Sequence, residues 1–356
     1  MTAALTADVA IVGAGVIGLA SAERLTAHGI SVIIVDDGRA QGATRVSGGL
    51  IRAFDPDGTY GAWPVESHAR YLERGWHGSW PAVHGHGSLT LIDRQDLTRV
   101  EPRIDAVRGA GLPIEVLTAD DVARRCPHLT VPGHLLGVLE PRAGWLPADD
   151  VVRAMHRDAG AGLRLHQARA LSLKHSSRRI DGVRTSDADV HADAVLLAAG
   201  VGSAHLAQTA GVHLSLRTRA VSYCLFRTED ATGLPTMVDR TTGAWLRRWG
   251  TGHTVLAGVA STRTDVPART RDGVDASEED RIRAVVAQRF PHLAEAPAVG
   301  GVTAYDAMTT TGGPAAVTSW SRPRGLVTAA GWNGGGFKLA PAVGRRAADH
   351  LLEALK

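Results

Sequence analysis

The stretch from Asp8 to Asp36, DVAIVGAGVIGLASAERLTAHGISVIIVD, constrains this chain more than any other. It opens on an apolar, β-branched run, Val9 to Val12, that reads as a buried strand. It then turns on Gly13-Ala14-Gly15-Val16-Ile17-Gly18. Apolar Ile17, Ala20 and Leu25 with small Ala22, set among polar Ser21, Glu23 and Arg24, follow with helical spacing. A second apolar run, Val32 to Val35, ends in Asp36. In such a unit Gly13 makes the tight turn. Gly15 lets a pyrophosphate approach the helix N-terminus, where free N–H groups and the helix dipole favour an anion. Gly18 lets the helix lie close on the strand. Asp36, about 18 residues beyond Gly18, stands where an acid accepts ribose hydroxyls. The unit predicts a dinucleotide site with Gly13, Gly15, Val16, Ile17, Gly18, Asp36 and Asp37 as contacts. It does not by itself choose between NAD and FAD.

Two further glycine-rich stretches bear on that choice. Gln41 to Arg52 is too poor in bulky residues to form a core element. It suits close wrapping of a planar ligand through Ala43, Thr44, Arg45, Ser47, Gly48 and Gly49. At the other end of the chain, Gly331-Trp332-Asn333-Gly334-Gly335-Gly336-Phe337-Lys338 leads into a last helix ending near Leu355. One nucleotide site served by both termini is unusual for NAD and natural for the longer FAD.

Between these ends the pattern alternates. Residues 62–80, a start capped by Thr118 or Asp120, and Pro147 to Ala159 read as helices, and Ser277 as the cap of another that runs to Phe290. Residues 93–112 are polar and read as irregular. Ala192 to Leu197, ending at Ala198-Ala199-Gly200, reads as a strand of a parallel sheet that returns the chain to the nucleotide-binding layer. From Leu214 the runs Ala220 to Phe226, Gly243 to Trp249 and His253 to Val259 read as successive antiparallel strands. The expected fold class is α/β: a Rossmann-like domain interleaved with an antiparallel β-sheet domain of α+β character. The expected division is 1–80, 145–210 and 325–356 for the nucleotide, and 81–144 and 211–324 for the substrate.

Composition narrows the partners. Lys+Arg 39 against Asp+Glu 36 is nearly balanced, and no basic run is interleaved with aromatics, so no nucleic-acid partner is expected. Cys126 and Cys224 form no metal-spaced cluster, so no metal is expected. No signal peptide or membrane-spanning run is read, and a reduced, cytoplasmic protein is expected. Lysine is rare: Lys174, Lys338 and Lys356 are the only three. That makes Lys338, inside the closing glycine motif, a candidate site residue.

On these anchors the chain resembles the D-amino acid oxidase superfamily of flavoproteins, nearest its glycine oxidase and monomeric sarcosine oxidase branch. The resemblance implies FAD and oxidation of a C–N bond in an amine or amino acid. The flavin takes a hydride, and the substrate becomes an imine. Either O2 reoxidises the flavin, giving H2O2, or another electron acceptor does, as in a dehydrogenase of specialised metabolism. A flavin-binding subunit without catalysis and an NAD-dependent reductase are the weaker alternatives. Arg52 and Lys338 match the pair that holds the substrate carboxylate in sarcosine oxidases, and a guanidinium and an ammonium converging from two chain ends make a chemically sound clamp. A small secondary or cyclic amino acid is the expected substrate.

The departures are equally specific. Asp306 stands where sarcosine oxidases link the flavin through cysteine, and Val46 where dimethylglycine dehydrogenase relatives carry a linking histidine. The FAD is therefore expected to be non-covalent, and Asp306 either to face a substrate cation or to be solvated. Where sarcosine oxidases place an oxygen-activating lysine, this chain offers Arg263. Trp245, Arg247 and Trp249 on one strand face, with Tyr223 and Trp332, are the expected walls of the substrate pocket.

Overall fold

The computed structural model describes residues 5–356 apart from 39–41, 177, 229–230, 251 and 269–272. Gln41 and the first four residues, which the sequence reading includes, lie outside the described residues. Two eight-stranded sheets carry the fold.

The first sheet is built around Leu5–Val12, which pairs in parallel with Val190–Leu197 on one side and Val32–Asp36 on the other. Leu163–Gln167 extends it in parallel beyond Val32–Asp36, and Leu326–Ala329 beyond Val190–Leu197. The antiparallel Val317–Ser319 closes that edge. Pleating sorts the central residues. Val9 and Ile11 face a core shared with the helices Val16–Thr26 and Gly336–Ala354. Ala10 and Val12 face a second core under the hairpin Ala170–His175 and Ile180–Thr185. Strands buried on both faces must be apolar throughout, which is why these runs do not alternate. The two helices meet where Gly344 lies against Ala20. A Cβ on Gly344 would stand 2.5 Å from the Ala20 Cβ. Their N-termini thereby open side by side at the ends of the parallel strands, where ligands bind in open α/β sheets.

The second sheet runs Ala298–Thr309, Leu216–Arg227, Thr254–Val259, Ala244–Arg248, Thr236–Asp239, Ser88–Asp93, Leu135–Glu140, Glu115–Thr118. It is antiparallel except where Thr236–Asp239 pairs in parallel with Ser88–Asp93. That four-residue strand, not expected from sequence, ties two segments distant in the chain into one sheet. Its other partner is Ala244–Arg248.

Three local expectations need correction. The polar stretch 93–112 contains a helix, Leu97–Gly109, whose Val100, Ile104 and Val107 are buried against Phe54 and Ile92. Only this narrow seam is apolar, and an exposed Pro102 interrupts the pattern, so the helix rests on packing rather than propensity. The cap of the helix Ala276–Val286 is Asp275, which accepts from Glu278 N at 2.9 Å, rather than Ser277. Val317–Ser319, inside the 211–324 division expected for the substrate domain, joins the first sheet. Thr118, by contrast, caps Ala119–Arg125 in a reciprocal box with Asp121.

Candidate active site

The glycine motif forms a tight cradle. Gly13 adopts φ +109, and a Cβ on Gly18 would stand 2.1 Å from the Gly13 carbonyl oxygen. That approach is open only to glycine. Asp36 closes the cradle: its carboxylate accepts from Ala14 N at 2.7 Å and Gly38 N at 2.8 Å. Thr44 reaches back to the helix start, where its hydroxyl accepts from Val16 N at 3.2 Å. Ile17 meets the second glycine turn, its Cδ1 lying 3.7 Å from where a Gly336 Cβ would stand. Ala199 and Gly200 follow the strand Val190–Leu197, with Ala198 N donating to Val12 O at 3.0 Å. Neither helix N-cap, Gly15 or Gly335, supplies a side-chain cap. Thr44 takes Val16 N, and the other N–H groups of the two first turns remain for a ligand.

The segment after Asp36 behaves as two parts. Arg45 turns outward to Asp149 at 3.6 Å. Ser47 Oγ accepts from Gly49 N at 3.0 Å and shapes the turn. Val46 packs with Tyr223 and Leu256 of the second sheet. Gly48 lies under Trp245, whose Cζ3 would stand 3.1 Å from a Cβ there. Arg247, expected to face substrate, instead holds this turn. Its Nε donates to Gly48 O at 2.6 Å, its Nη1 to Arg248 O at 2.7 Å, and its guanidinium stacks on Trp145 at 3.9 Å and Trp249 at 4.8 Å. It is 3% exposed, and burial pushes its pKa down to about 9, still above neutrality. Phe337, expected at the cofactor, also faces the core: its ring stacks on Tyr71 and its carbonyl accepts from Tyr71 Oη at 2.7 Å.

Arg52 and Lys338 come together beside both glycine turns, each within three residues of one. Backbone anchoring brings this about. Leu50–Ile51 pairs with Gly144–Trp145, and Glu140 Oε1 accepts from Ala53 N at 2.7 Å and Phe54 N at 3.0 Å. Lys338 Nζ lies 3.6 Å from Asp55 Oδ1, with the lysine side chain 12% exposed. Burial, then repulsion from Arg52, pushes the Lys338 ammonium down to about 8. Burial also lowers the Arg52 pKa, against the attraction of Glu140 and Asp55, and raises that of Glu140. Arg52 Nε and Glu140 Oε2 are buried without hydrogen-bond partners. Next to the group, Tyr60 stacks on Trp63 and tilts against Trp332, whose buried Nε1 also lacks a partner.

Asp306 is mostly buried, its side chain 20% exposed. It pairs with Arg219, directly across the strands Leu216–Arg227 and Ala298–Thr309, at 3.5 Å, and both abut Gly334. Burial raises its pKa, against the pull of Arg219. Arg263 is not brought to the group: its side chain is 47% exposed and pairs with Asp275 at 3.6 Å. Sequence reasoning missed Asp55, Glu140, Tyr60, Trp145 and Arg219. Asp55 had a signal, lying three residues after Arg52. Glu140 and Arg219 had none, since only sheet pairing brings them here.

The family model for FAD dependent oxidoreductases matches residues 8–350. The chain belongs to that family. Its cofactor is FAD, and the residues present fit it: a glycine cradle, two helix N-termini whose N-cap residues are glycines, and an unpartnered indole N–H. The chain is 24% identical to N-methyl-L-tryptophan oxidase of Salmonella arizonae over 370 residues, 97% of this chain and 95% of that protein. It is 23% identical to monomeric sarcosine oxidase of Bacillus sp. (strain B-0618) over 203 residues, 55% of this chain but only 48% of that relative's length. Its fold is similar to glycine oxidase of Geobacillus kaustophilus, with TM-score 0.81, 24% identity, and 98% and 95% of the two chains covered. No helix among the described residues is long and apolar enough to cross a membrane, and no group of metal-ligating side chains is found among them.

Proposed function

We propose that the protein oxidises the C–N bond of a small amino acid, with FAD held non-covalently. The observation that carries this reading is the meeting of Arg52 and Lys338 beside both glycine turns. Two cations at that place bind and orient a carboxylate, which fixes the position of the neighbouring C–N bond. FAD, when bound, supplies the two-electron oxidation that leaves an imine. Tyr60, which feels the Asp55 charge, packs with Trp63 and Trp332 into an aromatic cluster beside the charged group. Val46 and Asp306 replace the histidine and cysteine that link flavin in relatives, which supports a non-covalent cofactor. A secondary or cyclic amino acid remains the favoured substrate.

A second reading concerns the electron acceptor. Arg263 pairs with Asp275 at the surface, and neither Lys174 nor Lys356 belongs to the group. This favours a dehydrogenase that passes electrons to a carrier over an oxidase that uses O2. The test is the visible spectrum of the purified protein under anaerobic conditions as sarcosine, glycine, proline and D-amino acids are added in turn. Bleaching by one of them supports the reaction class, and persistence of the yellow colour with all of them overturns it for small amino acids. Rapid return of colour in air marks an oxidase; return only with a dye marks a dehydrogenase.

A further inference from the structure

The cations Arg52 and Lys338 do not stand alone. Asp55 lies 3.6 Å from the Lys338 ammonium, and Glu140 acts electrostatically on both cations while its Oε1 is committed to Ala53 and Phe54 N–H. These four side chains carry two positive and two negative formal charges. Asp57 and Arg240, the next charges outward, pair with each other at 2.7 Å and add none. The group is therefore neutral before a ligand arrives. A plain carboxylate entering it would leave one uncompensated negative charge in a poorly solvated place, which is strongly unfavourable. A ligand carrying its own cation would not. Asp55 is the acid positioned to receive that cation, since among the described residues its side chain pairs only with Lys338, at a distance longer than a good charge-assisted hydrogen bond. Tyr60, which senses the Asp55 charge, offers an aromatic face next to it, and Trp332 lies beside Tyr60 at 5.9 Å. Aromatic faces add to the attraction for an ammonium.

We propose that Asp55 makes the site selective for net-neutral zwitterions over simple carboxylates. The ligand carboxylate exchanges onto Arg52 and Lys338 while its ammonium takes their place beside Asp55. This deepens the proposed function, on which it rests for the placing of the substrate, by naming the charge form of that substrate. No proton or electron moves in this step.

The test uses two ligands of one shape. Trimethylglycine is a zwitterion at every pH above its carboxyl pKa and has no nitrogen lone pair, so it cannot become an imine. In 3,3-dimethylbutanoate carbon replaces the nitrogen, and the net charge is −1. Binding of each to the FAD-loaded protein is measured by calorimetry at neutral pH, with wild type and Asp55→Asn. Wild type should bind trimethylglycine about tenfold or more tightly than its carbon isostere, about 1.4 kcal/mol. Asp55→Asn should bring the ratio to about one or reverse it. Equal or tighter binding of 3,3-dimethylbutanoate by wild type, or no binding of trimethylglycine, overturns the proposal. So does an unchanged ratio in the variant. The wild-type ratio stands even if the variant folds poorly. Because neither ligand reacts, zwitterion selectivity in a protein whose flavin no amine bleaches would sink the proposed reaction and leave this inference intact.

Discussion

Replacing Arg247 by Met should weaken FAD binding while leaving the stability of the fold nearly unchanged. The magnitudes come from its surroundings. Burial pushes the guanidinium from 12.5 down to about 9, a penalty on the order of 5 kcal/mol for keeping a cation in this place. Opposing it are charged hydrogen bonds to Gly48 O and Arg248 O, about 1.5–3 kcal/mol each, and stacking on Trp145 and Trp249, about 0.5–2 kcal/mol each. The burial penalty offsets the lower half of that range, and methionine refills much of the volume between the two tryptophans. The melting temperature of the apoprotein should therefore move by only a few degrees. The Gly48 carbonyl, however, loses its donor, and with it the turn from Thr44 to Gly49 loses its hydrogen-bonded tie to the second sheet, keeping only the packing of Val46 and Gly48. If that tie is worth the hydrogen bond alone, FAD affinity falls roughly 10- to 100-fold. Fluorescence-quenching titration of apoprotein with FAD measures this directly. Arg247→Lys should fall between, since an ammonium keeps the charge but cannot reach Gly48 and Arg248 carbonyls with a fixed fork. An FAD affinity within twofold of wild type would refute the reasoning, and a large drop in apoprotein stability would show that Arg247 is a core strut instead.

Four further outcomes follow from the geometry. Lys338 titrates at about 8, so affinity for a carboxylate ligand should be level below that pH and fall as pH rises through it; Lys338→Met should bind at least tenfold more weakly at neutral pH and lose the pH dependence. Because the folded lysine holds its proton less tightly than the unfolded one, this group makes unfolding harder as pH rises from about 8 to 10.5, which urea titrations at several pH values would detect. Gly18→Ala puts a Cβ 2.1 Å from the Gly13 oxygen, and should destabilise by about 1–3 kcal/mol or more and lower the flavin content measured by absorbance. Arg263→Ala breaks only an exposed ion pair, so flavin reoxidation in air should be unchanged; a tenfold slower rate would place Arg263 at the flavin after all.

The nucleotide cradle was legible in the chain because each of its requirements is local. A tight turn, a helix start and a close helix–strand approach each demand glycine at a fixed spacing, and two fully buried parallel strands demand unbroken apolar runs. The same reading reached Arg52 and Lys338, since each lies a fixed few residues beyond a glycine turn. It misassigned Arg247 and Phe337. Their sequence context told which strand or helix they occupied, but not that Trp145 and Tyr71, from distant segments, would claim their side chains. It also left the helix Leu97–Gly109 unseen, because a three-residue apolar seam acquires meaning only once Phe54 is there to cover it. The charge balance of the candidate site belongs wholly to the tertiary structure. Glu140 reaches Ala53 and Phe54 across 86 or more residues of chain, and Asp306 finds Arg219 across 87. Sequence alone marked a glycine-rich cradle and two cations near its turns. Only folding decided which carboxylates would stand with them, because strand register is set by burial across whole sheets and not by the residues beside each charge.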